Sequence, residues 1–300
     1  MEKGMVIPFL GAGASFVGRP PDGEWNPDAP AFLPKGYELA RFLAKFSRFP
    51  SKDAHDLDNL AKVSSYLVDA LNRPSFRSQL HEKLCGPYNH GAIHRFLARV
   101  PAPQLIVVTN YDTLLEQAFR DANRPFDLVV HPTDRKDLEN AVLWWKDGVP
   151  QKPVAPKNLD INLKETTVIY KMHGTIDHET EKGDHFVITE DDYVVFLNRM
   201  LNHAAVPSQF IEHFRERHFL FLGYSLNDWN LRVILKNVRS DAAVRRGKVD
   251  QSDKKLNSWA IQTNPSELET SLWRKREIDI FDMAIDDFAA ELADAAKIKI

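Results

Sequence analysis

Cysteine is all but absent from this chain: Cys85 stands alone. A single thiol excludes a disulfide within the chain and excludes a zinc module of the CxxC…CxxC kind. Long apolar runs are also missing. None approaches the length that spans a bilayer, and the first residues show no basic-then-apolar export pattern, so the expectation is a cytoplasmic protein without a membrane segment. Basic charge is not in surplus either. The 39 Lys and Arg against 42 Asp and Glu leave a net charge of −3, which offers no general attraction to nucleic acid or to a lipid surface. Internal repeats and low-complexity tracts are lacking. The remainder is an ordinary globular composition, and 300 residues suit one large α/β domain, with or without a helical insert.

What is present is organised around Met5-Val-Ile-Pro-Phe-Leu-Gly-Ala-Gly-Ala-Ser15. A short apolar run ending in Gly11-Ala12-Gly13-Ala14-Ser15 reads as a buried parallel strand entering a glycine turn. Glycine there supplies φ values closed to other residues and room for a ligand at the backbone. Free N–H groups in such a turn suit a phosphate or pyrophosphate. The third glycine of GxGxxG is lacking, because Phe16 stands in its place. An ordinary turn at a strand end is therefore an equally good reading of this stretch alone.

In chain order, the proline-rich stretch 15–35 reads either as a binding loop or as a disordered surface loop. Helical periodicity marks 37–46, 56–71, 75–84 and 90–100; the stretch 50–101 reads as a helical insert within a single domain, 1–300. His90 and His94 share a helix face, but no Glu or third ligand accompanies them, so a metal is not expected. The apolar run 104–109 predicts a strand ending in Thr109-Asn110-Tyr111-Asp112, with a helix over 113–121. Asn110 or Asp112 could cap that helix, yet both lie where open α/β sheets bind ligands. A strand follows at 126–131, and the polar stretch 132–165 around Trp144-Trp145 reads as a loop or a partner-facing excursion. Strand 167–171 ends in Met172-His173-Gly174, a position suited to acid–base work as well as to a structural histidine. A short strand at 185–189 leads to a helix over 193–201 capped by Thr189, with Glu190-Asp191-Asp192 suited to the helix dipole. A helix at 206–217 precedes the apolar strand 218–222, which ends in Gly223-Tyr224-Ser225. Then come a helix at 229–238, a polar loop at 240–257, strands at 259–262 and 277–281 around a helix at 266–274, and a closing helix at 287–296.

Strands thus alternate with helices, and four strand ends carry small or polar residues. The pattern predicts a doubly wound parallel α/β sheet of Rossmann type whose loops converge at one edge. Four such ends together are more specific than any one of them.

Taken in order, GAGAS, TNYD, HG and GYS resemble the nucleotide-binding and catalytic signature of the sirtuins. The resemblance is greatest to the zinc-free, sirtuin-like branch of bacterial antiviral defence, whose members hydrolyse NAD; Phe186-Val-Ile-Thr-Glu-Asp-Asp-Tyr193 and Phe221-Leu-Gly-Tyr-Ser-Leu-Asn-Asp228 are similar to that branch too. It covers most of the sheet, from Val6 to about residue 235, but not the helices between 56 and 100 or the loop after 240. The resemblance implies that Gly11, Ala12, Gly13, Ala14 and Ser15 hold the pyrophosphate. It puts Asn110 on the nicotinamide ribose or on the attacking water, with Thr109 among the NAD-binding residues. Asp112 would meet the carboxamide, His173 would act as base on the ribose hydroxyls, and Gly223 and Ser225 would line the adenosine side. Sirtuins carry a Gly-Ile-Pro-Asp-Phe-Arg run where this chain has Gly18-Arg19-Pro20-Pro21-Asp22-Gly23, which puts an arginine contact from that run in question.

These residue types suit the chemistry. The leaving nicotinamide departs neutral and needs no strong acid, so positioning and stabilisation of the sugar cation matter most. Deacylase sirtuins place a four-cysteine zinc module after the His-Gly motif; here eleven residues separate Gly174 from Phe186. The expectation is an NAD hydrolase that needs no metal, giving ADP-ribose and nicotinamide. It would deplete NAD in antiphage defence, gated by homo-oligomerisation or by a partner such as an ATPase or a nucleic-acid-guided protein. A deacylase or ADP-ribosyltransferase of the same fold, and a non-catalytic NAD-binding sensor, are the alternatives.

Overall fold

A computed structural model describes residues 4–20, 22–133, 136–177, 183–201, 205–224 and 257–300. The expectations for Ser225, for a helix at 229–238 and for the loop at 240–256 fall outside the described residues.

The chain begins with β1 (Val6–Leu10), which runs into a single 3-10 turn, Ala12–Ser15. Helices α1 (Gly36–Ser47), α2 (Ala54–Leu57), α3 (Leu60–Ala70), α4 (Arg73–Leu84) and α5 (Ala92–Arg99) precede β2 (Leu105–Val108). Next come α6 (Leu114–Asp121), β3 (Asp127–Val130), the pair β4 (Leu143–Lys146) and β5 (Val149–Pro150), and β6 (Val168–Lys171). A small antiparallel pair, β7 (Gly174–Thr175) with β8 (His185–Phe186), leads to α7 (Glu190–Leu201), α8 (Ser208–Glu216) and β9 (His218–Leu222). The chain closes with β10 (Ser258–Gln262), α9 (Glu267–Arg274), β11 (Ile278–Asp282) and α10 (Ile285–Ala296).

The main sheet has the order β11-β10-β9-β1-β2-β6-β3-β4-β5 among the described residues. Pairing from β11 through to β3 is parallel. From β1 the chain steps to β2 on one side, whereas β9 lies on the other. The strand order therefore reverses at β1, and in open α/β sheets such a reversal leaves a crevice at the carboxyl ends of the strands. Alternation along the strands feeds two faces. Phe9, Val107, Tyr170 and Phe221 pack under α7, α8 and α9 through Phe196, Phe210, Phe214 and Trp273. Leu10, Ile106, Ile169 and Leu222 pack under α5, α6 and α10 through Phe96, Phe119 and Ala289. The expected doubly wound sheet is what forms. A third apolar cluster lies at the carboxyl edge, where Leu43, Val63, Leu67, Phe76 and Leu80 of α1, α3 and α4 meet Leu114, Ile176 and Phe186.

Two local expectations are corrected, at 56–71 and at Trp144-Trp145, and for 15–35 one of the two readings falls away. The stretch 56–71 is not one helix: Asn59 interrupts it and caps α3, its side chain accepting from the Lys62 N–H at 3.1 Å. The stretch 15–35 is no loose surface loop. Trp25 and Leu33 are buried, and Arg19 gathers the loop by donating to the Leu33 and Gly23 carbonyls and to the Glu38 carboxylate. Trp144-Trp145 does not sit in an excursion. It forms β4, which extends the sheet antiparallel to β3, and the Trp144 Nε1–H donates to Asp127 at 2.9 Å. The signal for this hairpin was Asp147-Gly148, a two-residue turn with φ of +47° and +78° that joins β4 to β5.

Candidate active site

The two glycine turns interlock at the crevice. The Gly11 N–H donates to the Leu222 carbonyl at 3.0 Å, and the Gly13 N–H to the Gly223 carbonyl at 2.8 Å. A Cβ on Gly13 would come within 2.8 Å of the Gly223 Cα, and Gly223 has a φ of +64°. Glycine is required at both positions by backbone contact. The Ala14 N–H is taken by the Gly11 carbonyl at 2.9 Å. The turn thus spends the Gly13 and Ala14 N–H groups within the fold, and what it offers a ligand is chiefly a close approach to the backbone.

Across the crevice, β2 delivers the turn Thr109–Asp112. Thr109 is pinned through its N–H and its Oγ1–H to the Leu10 carbonyl, at 3.1 and 3.2 Å. The Asn110 Nδ2 donates to the Gly11 carbonyl at 2.8 Å and to Ser15 Oγ at 2.6 Å. A carbonyl can only accept, so this contact fixes which way the amide points and leaves Asn110 Oδ1 for the cavity. Ser15 Oγ passes its own proton to Asp112 Oδ2 at 2.7 Å. Asp112 Oδ1 accepts from the Leu114 N–H at 3.1 Å, so Asp112 also does the work of a helix cap. These bonds form a chain, Asn110 to Ser15 to Asp112, between residues 95 and 97 positions apart.

His173 follows β6. It is 3% exposed, and its Nε2 has no hydrogen-bond partner among the described residues. The rings of Tyr193 and Phe196 stand edge-on to it at 5.7 and 5.2 Å. This apolar burial lowers its pKa from 6.5 to about 4, so the imidazole is neutral at pH 7 and can exchange a hydrogen bond with a bound group. A buried nitrogen without a partner calls for a ligand or a water, and His173 lines the cavity described next.

One cavity of about 690 Å³ collects these residues. Gly11, Ala12, Gly13, Ala14, Ser15, Thr109, Asn110, Asp112, His173 and Gly223 all line it. Its volume falls in the range of small-molecule sites. The sheet order sets its layout: the glycine turns of β1 and β9 lie in the middle, Asn110 and His173 lie toward β2 and β6, and Gln262, Thr263 and Asp286 lie toward β10 and β11. Sequence reasoning missed Tyr193, Tyr224 and that second arm, although the ends of β10 and β11 obey the same rule of ligands at carboxyl ends. It also missed an apolar arm walled by Leu33, Leu39, Leu60 and Leu84. Arg19 is not among the lining residues, being engaged within its own loop. His90 and His94 do not act together: His90 pairs with Asp121 at 2.8 Å, and buried His94 accepts the Gly91 N–H at 3.0 Å.

Comparison with known proteins bears on what this site is. A family model described as a SIR2-like domain matches residues 104–281. The chain is 29% identical over 194 residues to an NAD(+) hydrolase ThsA of Bacillus cereus (strain MSX-D12), covering 64% of this chain and 33% of that protein. It is 29% identical over 239 residues to an NAD(+) hydrolase ThsA of Acinetobacter baumannii (strain 532279), covering 80% of this chain and 40% of the relative. A protein named Defense-associated sirtuin 2, from Bacillus subtilis, is 22% identical over 270 residues, 89% of this chain and 22% of its own length. The chain therefore spans well under half the length of these relatives.

Proposed function

This chain belongs to the SIR2-like family, and from that membership and its cavity we propose that it hydrolyses NAD to ADP-ribose and nicotinamide. The observation that carries the proposal is the convergence of Asn110 and His173, from two different strand ends, on one cavity with the interlocked glycine turns. The names of the ThsA relatives support the same activity.

A dinucleotide laid along the sheet edge has its pyrophosphate at the central glycine turns. Its nicotinamide ribose reaches Asn110 and His173, and its adenosine reaches Gln262, Thr263 and Asp286. Asn110 Oδ1 accepts a hydrogen bond from the attacking water or a ribose hydroxyl, and as a neutral amide it does not compete as a nucleophile. The bond between C1′ of the ribose and the pyridinium nitrogen breaks, its electron pair returns to the ring, and nicotinamide leaves neutral. The water oxygen bonds to C1′, and the proton it loses is taken by neutral His173 or by solvent. Asp112 keeps Ser15 and Asn110 in line, and its charge favours the developing sugar cation. None of these steps calls on a metal.

We further propose that the chain depletes NAD in antiphage defence; the name Defense-associated sirtuin 2 supports the defence part of that reading. A freely active hydrolase would drain the cell's pool, so activity is gated by self-association or by a partner protein. The apolar arm at Leu39, Leu60 and Leu84 favours the second reading, a deacylase or ADP-ribosyltransferase with an acceptor in that arm. Nicotinamide release from NAD, with and without an acetyl-lysine peptide and across protein concentrations, separates these readings. Release without peptide, lost in Asn110→Ala, is the expected result. Release only with peptide moves the chain to the second reading. Tight NAD binding without cleavage under any condition leaves a sensor.

A further inference from the structure

We propose that Lys171 is a positioning residue that fixes Asn110 and His173 relative to each other, with Glu116 holding its ammonium in place; this rests on the hydrolase reading above. Lys171 ends β6, two residues before His173, and is wholly buried. Its side chain shares the face of Ile169, an apolar layer beneath α6 in which a lysine is out of character. Its Nζ donates to the backbone carbonyl of Asp112 and lies 3.5 Å from Glu116 Oε1 on α6. Glu116 is buried as well, and neither of its carboxylate oxygens has a hydrogen bond among the described residues.

For stability alone this arrangement is a poor choice. A buried, incompletely satisfied ion pair is commonly no better than apolar side chains of the same volume. Its geometry has another use. The segment that carries His173 grips the Asn110 turn at two points. Ahead of His173, Lys171 holds the Asp112 carbonyl; behind it, the Ile176 N–H and the Thr175 hydroxyl hold the Tyr111 carbonyl at 2.9 and 3.3 Å. The parallel pairing of β2 with β6, continued by the Met172 N–H on the Val108 carbonyl at 2.9 Å, sets the register only as far as the strand ends; beyond them, these bonds hold the Asn110 turn against the His173 segment. Lys171 reaches from strand to turn without touching the cavity, so its contribution passes through the placement of Asn110.

The test compares the wild type with Lys171→Met and with the double variant Lys171→Met/Glu116→Met, following nicotinamide release, NAD binding by calorimetry, and thermal unfolding. The expected result is a kcat lowered about 10- to 100-fold in Lys171→Met, as for a catalytic group displaced by a fraction of a bond length to an ångström, with KM and NAD affinity within about threefold of wild type. The double variant, freed of both buried charges, unfolds at or above the wild-type temperature and still has the low kcat. A wild-type kcat in either folded variant overturns the proposal. Failure of both variants to fold overturns it too, because the pair would then be a folding device. A wild-type chain that binds NAD and releases no nicotinamide under any condition of concentration or added partner defeats the hydrolase reading instead, and that outcome is read before any variant is compared.

Discussion

Gly13 and Gly223 meet backbone to backbone: the Gly13 N–H donates to the Gly223 carbonyl at 2.8 Å, and a Cβ on either would strike the main chain of the other turn. Two loops far apart in sequence are thereby fused into the floor of one cavity. Gly223→Ala is expected to cost about 2–4 kcal/mol, from a φ of +64° together with a collision at the Ala14 nitrogen. Gly18→Ala is the control. Its φ is +68°, but nothing lies within 4 Å of the added methyl, so only the backbone cost of about 1 kcal/mol applies. Urea unfolding of both variants checks this; equal losses would mean that the interlock contributes nothing.

The Asn110–Ser15–Asp112 chain predicts graded losses. On the proposed hydrolase reading, Asn110→Ala removes the group that faces the substrate and should lower kcat by roughly 100- to 1,000-fold. Ser15→Ala leaves Asn110 bonded to the Gly11 carbonyl and removes only its second anchor, so a loss of about tenfold is expected. Steady-state release of nicotinamide ranks the two, and a Ser15 variant as impaired as the Asn110 variant would place Ser15 itself in contact with substrate.

Acid should act through His173. Its pKa is lowered by burial from 6.5 to about 4; if, as proposed, the neutral ring takes the proton, kcat/KM should rise with pH through about 4 and level off above it. Stability follows the same sign. Between about pH 4 and 6.5 the unfolded chain binds the proton and the folded chain does not. The contribution of neutral burial is therefore complete above about 6.5 and is lost as pH falls toward 4, a change on the order of 3 kcal/mol. Buried His94, also lowered by burial to about 4, adds in the same direction. Denaturant midpoints from pH 4 to 7, compared with those of His173→Asn, would show a flatter slope in the variant if this holds.

In the proposed placement of NAD, the arm of the cavity at Asp286 lies away from the reacting bond and should contribute binding alone. Asp286→Ala is expected to raise KM for NAD several-fold with kcat unchanged, the mark of an interaction equal in ground and transition states. A fall in kcat with KM unchanged would contradict the layout of the dinucleotide along the sheet edge.

The Arg73 guanidinium ties α4 to the start of α7, donating to Asp192 Oδ2 and to the Phe186 carbonyl, each at 2.9 Å. Asp192 in turn accepts from the Ile188 and Thr189 N–H groups, and the next residue, Tyr193, stands against His173. Arg73→Leu should therefore lower stability by about 1–3 kcal/mol, because Asp192 loses its counter-charge while partly buried. Chemical unfolding measures the loss; no change would mean that the third apolar cluster alone holds α4.

Some of this was decided by the sequence itself. The apolar runs of β1 and β9 are bounded where they were read, at Val6–Leu10 and His218–Leu222, because a strand buried on both faces needs uninterrupted apolar residues and ends where polar or glycine residues begin. The same rule marked the residues after β2 and β6, and so most of the cavity floor. The tertiary structure alone decided which groups remain free to act. Asn110 offers its oxygen only because Gly11 and Ser15, 99 and 95 positions away, take its nitrogen. Lys171 is buried only because Asp112 and Glu116 come to meet it. Local sequence fixes periodicity, which is a property of neighbours. Hydrogen-bond partners and burial at a sheet edge depend on strand order, and strand order is set by packing across the whole domain.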